Sequence, residues 1–156
     1  EHRPEMNPAS FGAHFAEVTV DKLTGLVKIN RYLAVHDIGQ AINESFVRGQ
    51  IYGGIQMGIG MALSEELPFD SMGIPRVRNF DKYHLVNAPD MPDPEIILIE
   101  DNEPGGPFGA KSIGEISTVP VSAAIVNAVN RALGSSLTDL PLTPAKVVEA
   151  ARNMGE

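Results

Sequence analysis

The stretch from Asn43 to Leu67, NESFVRGQIYGGIQMGIGMALSEEL, decides the architecture. Val47, Ile51, Ile55, Ile59 and Leu63 recur at every fourth position, which lays one apolar stripe along a helix. The spacing predicts a helix from Glu44 to Leu67, capped by Asn43. Gly49, Gly53, Gly54, Gly58 and Gly60 lie inside it, although an interior glycine costs about 1 kcal/mol relative to alanine. Two features would offset that cost: close packing on a neighbouring element, at Gly49 with Gly53 and at Gly54 with Gly58, or close approach to a large ligand. The weakly polar core of the stretch, Ile51 to Leu63, is about 13 residues long where a membrane span needs roughly 20, so it does not cross a bilayer.

Upstream of the helix, Phe11 to Val20 and Leu26 to His36 read as strands joined by the turn Asp21-Lys22-Leu23-Thr24-Gly25, a hairpin that ends at Asp37-Ile38-Gly39. Downstream, Pro68 to Pro94 reads as irregular surface chain with short strand candidates near Arg76 to Phe80. The run Ile96 to Ile99 inside Glu95 to Glu100 predicts a buried strand with solvated acidic flanks. A glycine-rich loop, Gly105 to Glu115, precedes a helix from Pro120 to Leu133, with Ser117 or Thr118 as its cap and Gly134 as its stop. Thr143-Pro144 starts a last short helix through Val147, Val148 and Ala151. The fold class is therefore α+β, residues 1–156 forming a single domain in which a mixed or antiparallel sheet packs against a long glycine-rich helix and two C-terminal helices.

Composition narrows the function. The 156 residues are 43% hydrophobic and 21% charged, which are globular values. A chain of this length buries about 70% of its unfolded surface. The net charge of -8 leaves no basic surface for a phosphate backbone, so nucleic acid is not an expected partner, and neither is a membrane. Without cysteine there is no disulfide, thiolate metal site or thiol nucleophile. The start at Glu1 rather than Met reads as a processed chain or a fragment. His2, His14, His36 and His84 lack the spacing of a zinc pair, so no protein-ligated metal is expected. Ser10, Ser64 and Ser122 lack a hydrolase elbow.

Two candidates remain in the glycine-rich loop. Gly105 to Ser112 nearly matches the phosphate-binding pattern G-x-x-x-x-G-K-S, but Ala110 stands where the last glycine belongs and the next helix starts too late, so a nucleoside triphosphate site is the weaker reading. Glu115 sits on a glycine turn just ahead of a helix start, with Lys111 four residues before it. The amides of a helix start favour an anion, the form a general base uses. A plain charge pair with Lys111 is the alternative.

Three ordered segments carry a resemblance. Gln50 to Leu67 resembles the Q-x-x-G-x-x-x-Q-G-x-G-x-A-L-x-E-E segment of the xanthine dehydrogenase and aldehyde oxidase family, with Met57 where many members place the second glutamine and Gln56 before it. Phe108 to Glu115 (FGAKSIGE) is similar to the family's F-G-A-K-G-V-G-E, and Thr138 to Pro144 (TDLPLTP) resembles its closing R-x-x-D-L-P-L-T-P. Gly12 to Val18, Val35 to Gly39 and Ile42-Asn43 are also similar to family sequence.

The resemblance implies the C-terminal part of a cytoplasmic molybdenum hydroxylase's large subunit, with a molybdenum-molybdopterin cofactor, alone or in a dinucleotide form. The implied partners are the upstream part of the same subunit, iron-sulfur and FAD subunits or domains carrying 2Fe-2S clusters and FAD, and a small aldehyde or purine-like substrate. Glu115 is then the catalytic base for hydroxylation of an aldehyde or N-heterocycle with water as oxygen source. Gln50, Gly53 and Gly54 lie against the cofactor, as do the main-chain amides of Ser112, Ile113 and Gly114, while Lys111 orients Glu115 or neutralises cofactor charge. Ser112 and the pair Ile116-Ser117 depart from the usual family residues, which leaves the substrate class open. An alternative within the same fold is a non-catalytic assembly module that completes a larger subunit.

Overall fold

The computed structural model describes residues 8–153. Strands β1 (Phe11–Val20) and β2 (Val27–Asp37) form the expected hairpin, and β3 (Glu95–Ile99) adds to β2 in parallel, giving a mixed three-stranded sheet of order β1-β2-β3. A bulge between Glu17 and Val18 shifts the hairpin register by one, so that Gly12 lies opposite His36, His14 opposite Ala34 and Ala16 opposite Tyr32. One sheet face carries these residues together with Ile96 inward. The other carries Phe15, Leu33, Val35, Ile97 and Ile99, of which Phe15, Ile97 and Ile99 are exposed.

Helix α1 (Glu44–Leu63) begins where Asn43 accepts a hydrogen bond from the Phe46 N–H, as a capping residue should. It stops four residues earlier than the spacing predicts, because Ser64 leaves helical geometry and Tyr83 Oη donates to the Glu65 carboxylate, drawing the chain towards the 79–86 loop. The stripe is observed: Ile51, Ile55 and Ile59 are buried, with Val47 and Leu63 partly so. Helix α2 (Val121–Leu133) lies against both β1 and α1, presenting Val121, Ile125, Val129 and Leu133, and Gly134 ends it in the left-handed region at φ 74°. Helix α3 (Pro144–Asn153) buries Val147 and Ala150, and the Leu142 N–H donates to the Ala62 carbonyl at 2.7 Å, tying the C-terminal segment to the end of α1.

Three expectations change. Neither Ser117 nor Thr118 caps α2: Pro120 holds the cap position without a side-chain bond, and the buried Ser117 hydroxyl donates to the Gly114 carbonyl instead. β3 is half-buried rather than buried, because it lies at the sheet edge with one face packed and the other open. Arg76 to Phe80 forms no strand; Asp70 accepts from the Met72 and Ile74 amides and closes a local turn, and Phe69 meets Pro75 only in an isolated bridge.

Candidate functional site

Four of the five glycines of α1 separate into two sets. A Cβ at Gly54 would stand 2.6 Å from Ser117 Cβ, and one at Gly58 would stand 2.7 Å from Val121 Cγ1, so these two positions are explained by close packing inside the chain. Gly49 and Gly53 have nothing within 4 Å of that point, so packing within the chain does not explain them. Both lie on the exposed side of the helix, where Gln50 also sits.

Across from that side runs the loop 105–117. Its position is set by β2: the Lys111 N–H donates to the Ile38 carbonyl at 2.8 Å, and the Gln40 N–H donates to the Gly109 carbonyl at 2.7 Å. Gly39 makes this approach possible, since it holds φ 63° and any side chain there would run into the 109–111 backbone. The Ser10 hydroxyl also donates to the Ser112 carbonyl at 2.8 Å. Between loop and helix lies a cleft of about 510 Å³, lined by Gln40, Ile42, Asn43, Phe46, Val47 and Gln50 on one side and by Ala110, Lys111, Ile113 and Gly114 on the other.

The cleft brings together Gln50, Lys111, Ile113 and Gly114, and Glu115 follows directly, exposed at the start of the single 3-10 turn Glu115–Ser117. Gly53 borders a separate hollow with Tyr52, Gln56 and Met91. Gly54 faces the opposite way, onto Ser117. Gln56, the displaced glutamine, is occupied in holding the irregular segment, its amide donating to the Val86 carbonyl at 2.9 Å.

Lys111 does not orient Glu115. Its ammonium lies 2.7 Å from the Asp37 carboxylate, both side chains mostly enclosed, and this hydrogen bond holds the Asp37 pKa below its ordinary value. The lysine charge is thereby largely neutralised within the chain, and its evident work is to pin the loop to the end of β2.

Among the described residues, the main-chain N–H groups of Ser112, Ile113 and Gly114 meet no acceptor, and a Cβ at Gly114 would meet nothing within 4 Å. Three consecutive free amides and an unengaged glutamine amide beside an open cleft suit a large group rich in oxygen acceptors. The loop offers less to a nucleotide. The loop's own turn consumes its donors: Gly105 donates to the Glu103 carboxylate, Gly106 to the Glu103 carbonyl, Gly109 to the Gly106 carbonyl and Ala110 to the Pro107 carbonyl. No helix of more than three residues follows until Val121.

Sequence reading missed one cluster. His14 Nδ1 lies 2.9 Å from the Tyr32 hydroxyl and His14 Nε2 lies 2.8 Å from His36 Nε2, with His36 fully enclosed. Burial lowers the His14 pKa to about 4, with His36 adding to the shift, and burial also lowers that of His36 and raises that of Tyr32. These residues are far apart along the chain and only the bulged hairpin register joins them.

Fold and cleft together define the segment by a glycine-rich helix and an amide-bearing loop that face each other across one open cleft. The family model for the molybdopterin cofactor-binding domain matches residues 1–92, and the chain belongs to that family. It is 44% identical over 144 residues to the putative xanthine dehydrogenase molybdenum-binding subunit XdhA of Escherichia coli (strain K12), covering 92% of this chain and 19% of that subunit. It is 40% identical over 148 residues to the nicotine 6-hydroxylase large subunit of Paenarthrobacter nicotinovorans, covering 93% and 18%. The crystal structure of quinoline 2-oxidoreductase from Pseudomonas putida 86 superposes with a TM-score of 0.86 at 34% identity, covering 90% of this chain and 18% of that one. The chain thus spans about a fifth of the length of the relatives it matches. Among the described residues no helix is long and apolar enough to cross a membrane.

Proposed function

We propose that this chain supplies the catalytic base and one wall of the molybdopterin site in the large subunit of a molybdenum hydroxylase, of which residues 1–156 form a single C-terminal domain. The observation that carries the reading is the meeting of Gln50 on α1 with Lys111, Ile113 and Gly114 on one cleft, with Glu115 the next residue along. The bound molybdenum-pterin group would accept the two electrons released when an oxygen from water replaces a C–H hydrogen of an aldehyde or N-heterocycle, with two protons set free.

The chain's own residues have separable tasks. The Gln50 side chain both donates to and accepts from the cofactor's polar edge. The amides of Ser112, Ile113 and Gly114 donate to its oxygens, as consecutive N–H groups do at anion sites. Glu115, exposed on a short turn held from beneath, receives a proton at its carboxylate as the C–O bond forms. The Lys111–Asp37 pair fixes the loop that carries the three amides and Glu115. Iron-sulfur and FAD partners then take the electrons onward, and a cytoplasmic location suits such an assembly.

The assembly-module reading rests on a different observation, the open apolar sheet face that includes Phe15, Ile97 and Ile99. In the proposed reading the upstream part of the same subunit covers that face. A substitution inside the cleft separates the two. Gln50→Leu in the complete enzyme is expected to lower bound molybdenum several-fold while the subunit stays folded; unchanged molybdenum content would take Gln50 out of the cofactor site and favour the assembly role.

A further inference from the structure

The Tyr32, His14 and His36 side chains form one hydrogen-bonded chain whose direction can be settled by counting protons. Burial keeps both imidazoles neutral, so each carries one ring proton. If His14 Nδ1 were protonated, it would donate to Tyr32, the Tyr32 O–H would lack an acceptor, and the His36 Nδ1 lone pair would lack a donor. If instead Tyr32 donates to His14 Nδ1, then His14 Nε2–H donates to His36 Nε2 and a single group is left over, the His36 Nδ1–H. That is the one buried side-chain atom without a partner among the described residues. Leaving such a donor unmet is destabilising, so its location calls for a reason.

Its location is the notch at Gly12, which pairs directly with His36 across the hairpin. A Cβ on Gly12 would stand 2.8 Å from His36 Nδ1 and 3.4 Å from Ile116 Cγ1, so the imidazole and the Ile116 side chain both border the space above a bare Cα. Ile116 is the middle residue of the turn that begins with Glu115. The two residues after His36 grip the same loop from its other end, Asp37 through the Lys111 ammonium and Ile38 through the Lys111 amide. Ser117, the last residue of the turn, is enclosed against Gly54.

We propose that His36, locked in orientation by His14 and Tyr32, is a positioning residue for Glu115, acting through Ile116 across the bare Cα of Gly12. It rests on the assignment of Glu115 as the base. The imidazole sets the height of the turn above the sheet, and the hydrogen-bonded chain stops the ring from rotating away. A hydrocarbon of similar size in place of His36 fills the notch without a fixed orientation, and a methyl group at Gly12 drives the ring and Ile116 apart.

The test uses the complete molybdenum-loaded enzyme carrying His36→Leu, His36→Gln or Gly12→Ala, alone and combined with Glu115→Gln. His36→Leu and Gly12→Ala are expected to lower kcat about 10- to 100-fold with KM changed less than about twofold, the range expected when a reacting group is displaced by a fraction of an ångström to an ångström. Molybdenum content stays at the parental level, and hydrogen-deuterium exchange in the peptide covering 110–119 becomes several-fold faster. His36→Gln restores most of the rate, because its amide can still accept from His14 Nε2–H. In the Glu115→Gln background neither substitution lowers the residual rate further.

Parental kcat and parental exchange in both His36→Leu and Gly12→Ala would overturn the proposal, as would an equal further loss in the Glu115→Gln background or loss of molybdenum from both variants. Full turnover by Glu115→Gln alone would instead sink the base assignment, and the exchange of 110–119 would still decide whether His36 holds the turn.

Discussion

Alanine at Gly58 and at Gly53, two positions on the same helix five residues apart, should change stability in opposite directions. At Gly58 the added methyl would stand 2.7 and 2.9 Å from the two γ carbons of Val121, a β-branched side chain on α2 with little rotamer freedom to yield. Overpacking costs about 1–3 kcal/mol, and a methyl set this close to the Val121 Cβ and both γ carbons falls in the upper half of that range; the gain in helix propensity returns about 1 kcal/mol, for a net loss of about 1–2 kcal/mol. At Gly53 the methyl meets nothing within 4 Å, so only the propensity gain remains, a stabilisation of about 0.5–1 kcal/mol. Urea unfolding of this chain, followed by far-ultraviolet circular dichroism, reads both. With a slope of about 2 kcal/mol per molar urea, the midpoint falls by about 0.5–1 M for Gly58→Ala and rises by about 0.3–0.5 M for Gly53→Ala. A neutral or stabilising Gly58→Ala would refute the close α1–α2 crossing. A destabilising Gly53→Ala would refute the open side of α1 and, with it, the ligand-side explanation of that glycine.

Acid should weaken the fold through the histidine chain. The folded pKa of His14 is about 4 against 6.5 for the free side chain, so between those values the unfolded chain binds more protons and stability falls as pH falls. The full shift is discounted for the solvent that reaches His14, leaving about 1–2 kcal/mol of stability that is present above pH 6.5 and lost on the way to pH 4. Urea midpoints measured across that window should show the slope, and His14→Phe should flatten it. Lys111→Met leaves the Asp37 carboxylate without its cation in a mostly enclosed site, its side chain only 20% exposed, and should cost about 1–3 kcal/mol by thermal unfolding. Asp37→Asn, which keeps an acceptor for the ammonium, should cost less; parental stability in both variants would show that the charge pair does not anchor the loop.

Where local rules governed, the sequence was legible. The fourfold apolar spacing from Val47 to Leu63 located α1 and its buried side, Asn43 and Gly134 marked helix ends by side-chain and backbone chemistry, and the Asp21 to Gly25 turn announced the hairpin. The loop residues Lys111, Ile113 and Gly114 line one cleft with Gln50. What the sequence concealed depended on registers and partners. Counting back from the turn without the bulge at Glu17 and Val18 places His14 opposite Leu33, on the wrong face, so the histidine chain could not be foreseen. Lys111 has acids in several segments to choose from, and only the strand end at Asp37 brings one within reach. Ser117 reads as a helix cap until Gly54 is seen to leave it a slot.

The account stands on Glu115 accepting a proton during turnover, and Glu115→Gln in the complete enzyme measures that most directly. The amide keeps the size of the side chain and removes the base, so molybdenum content and thermal stability should match the parent while kcat falls by about 100-fold or more. A parental kcat at full molybdenum content would contradict the assignment.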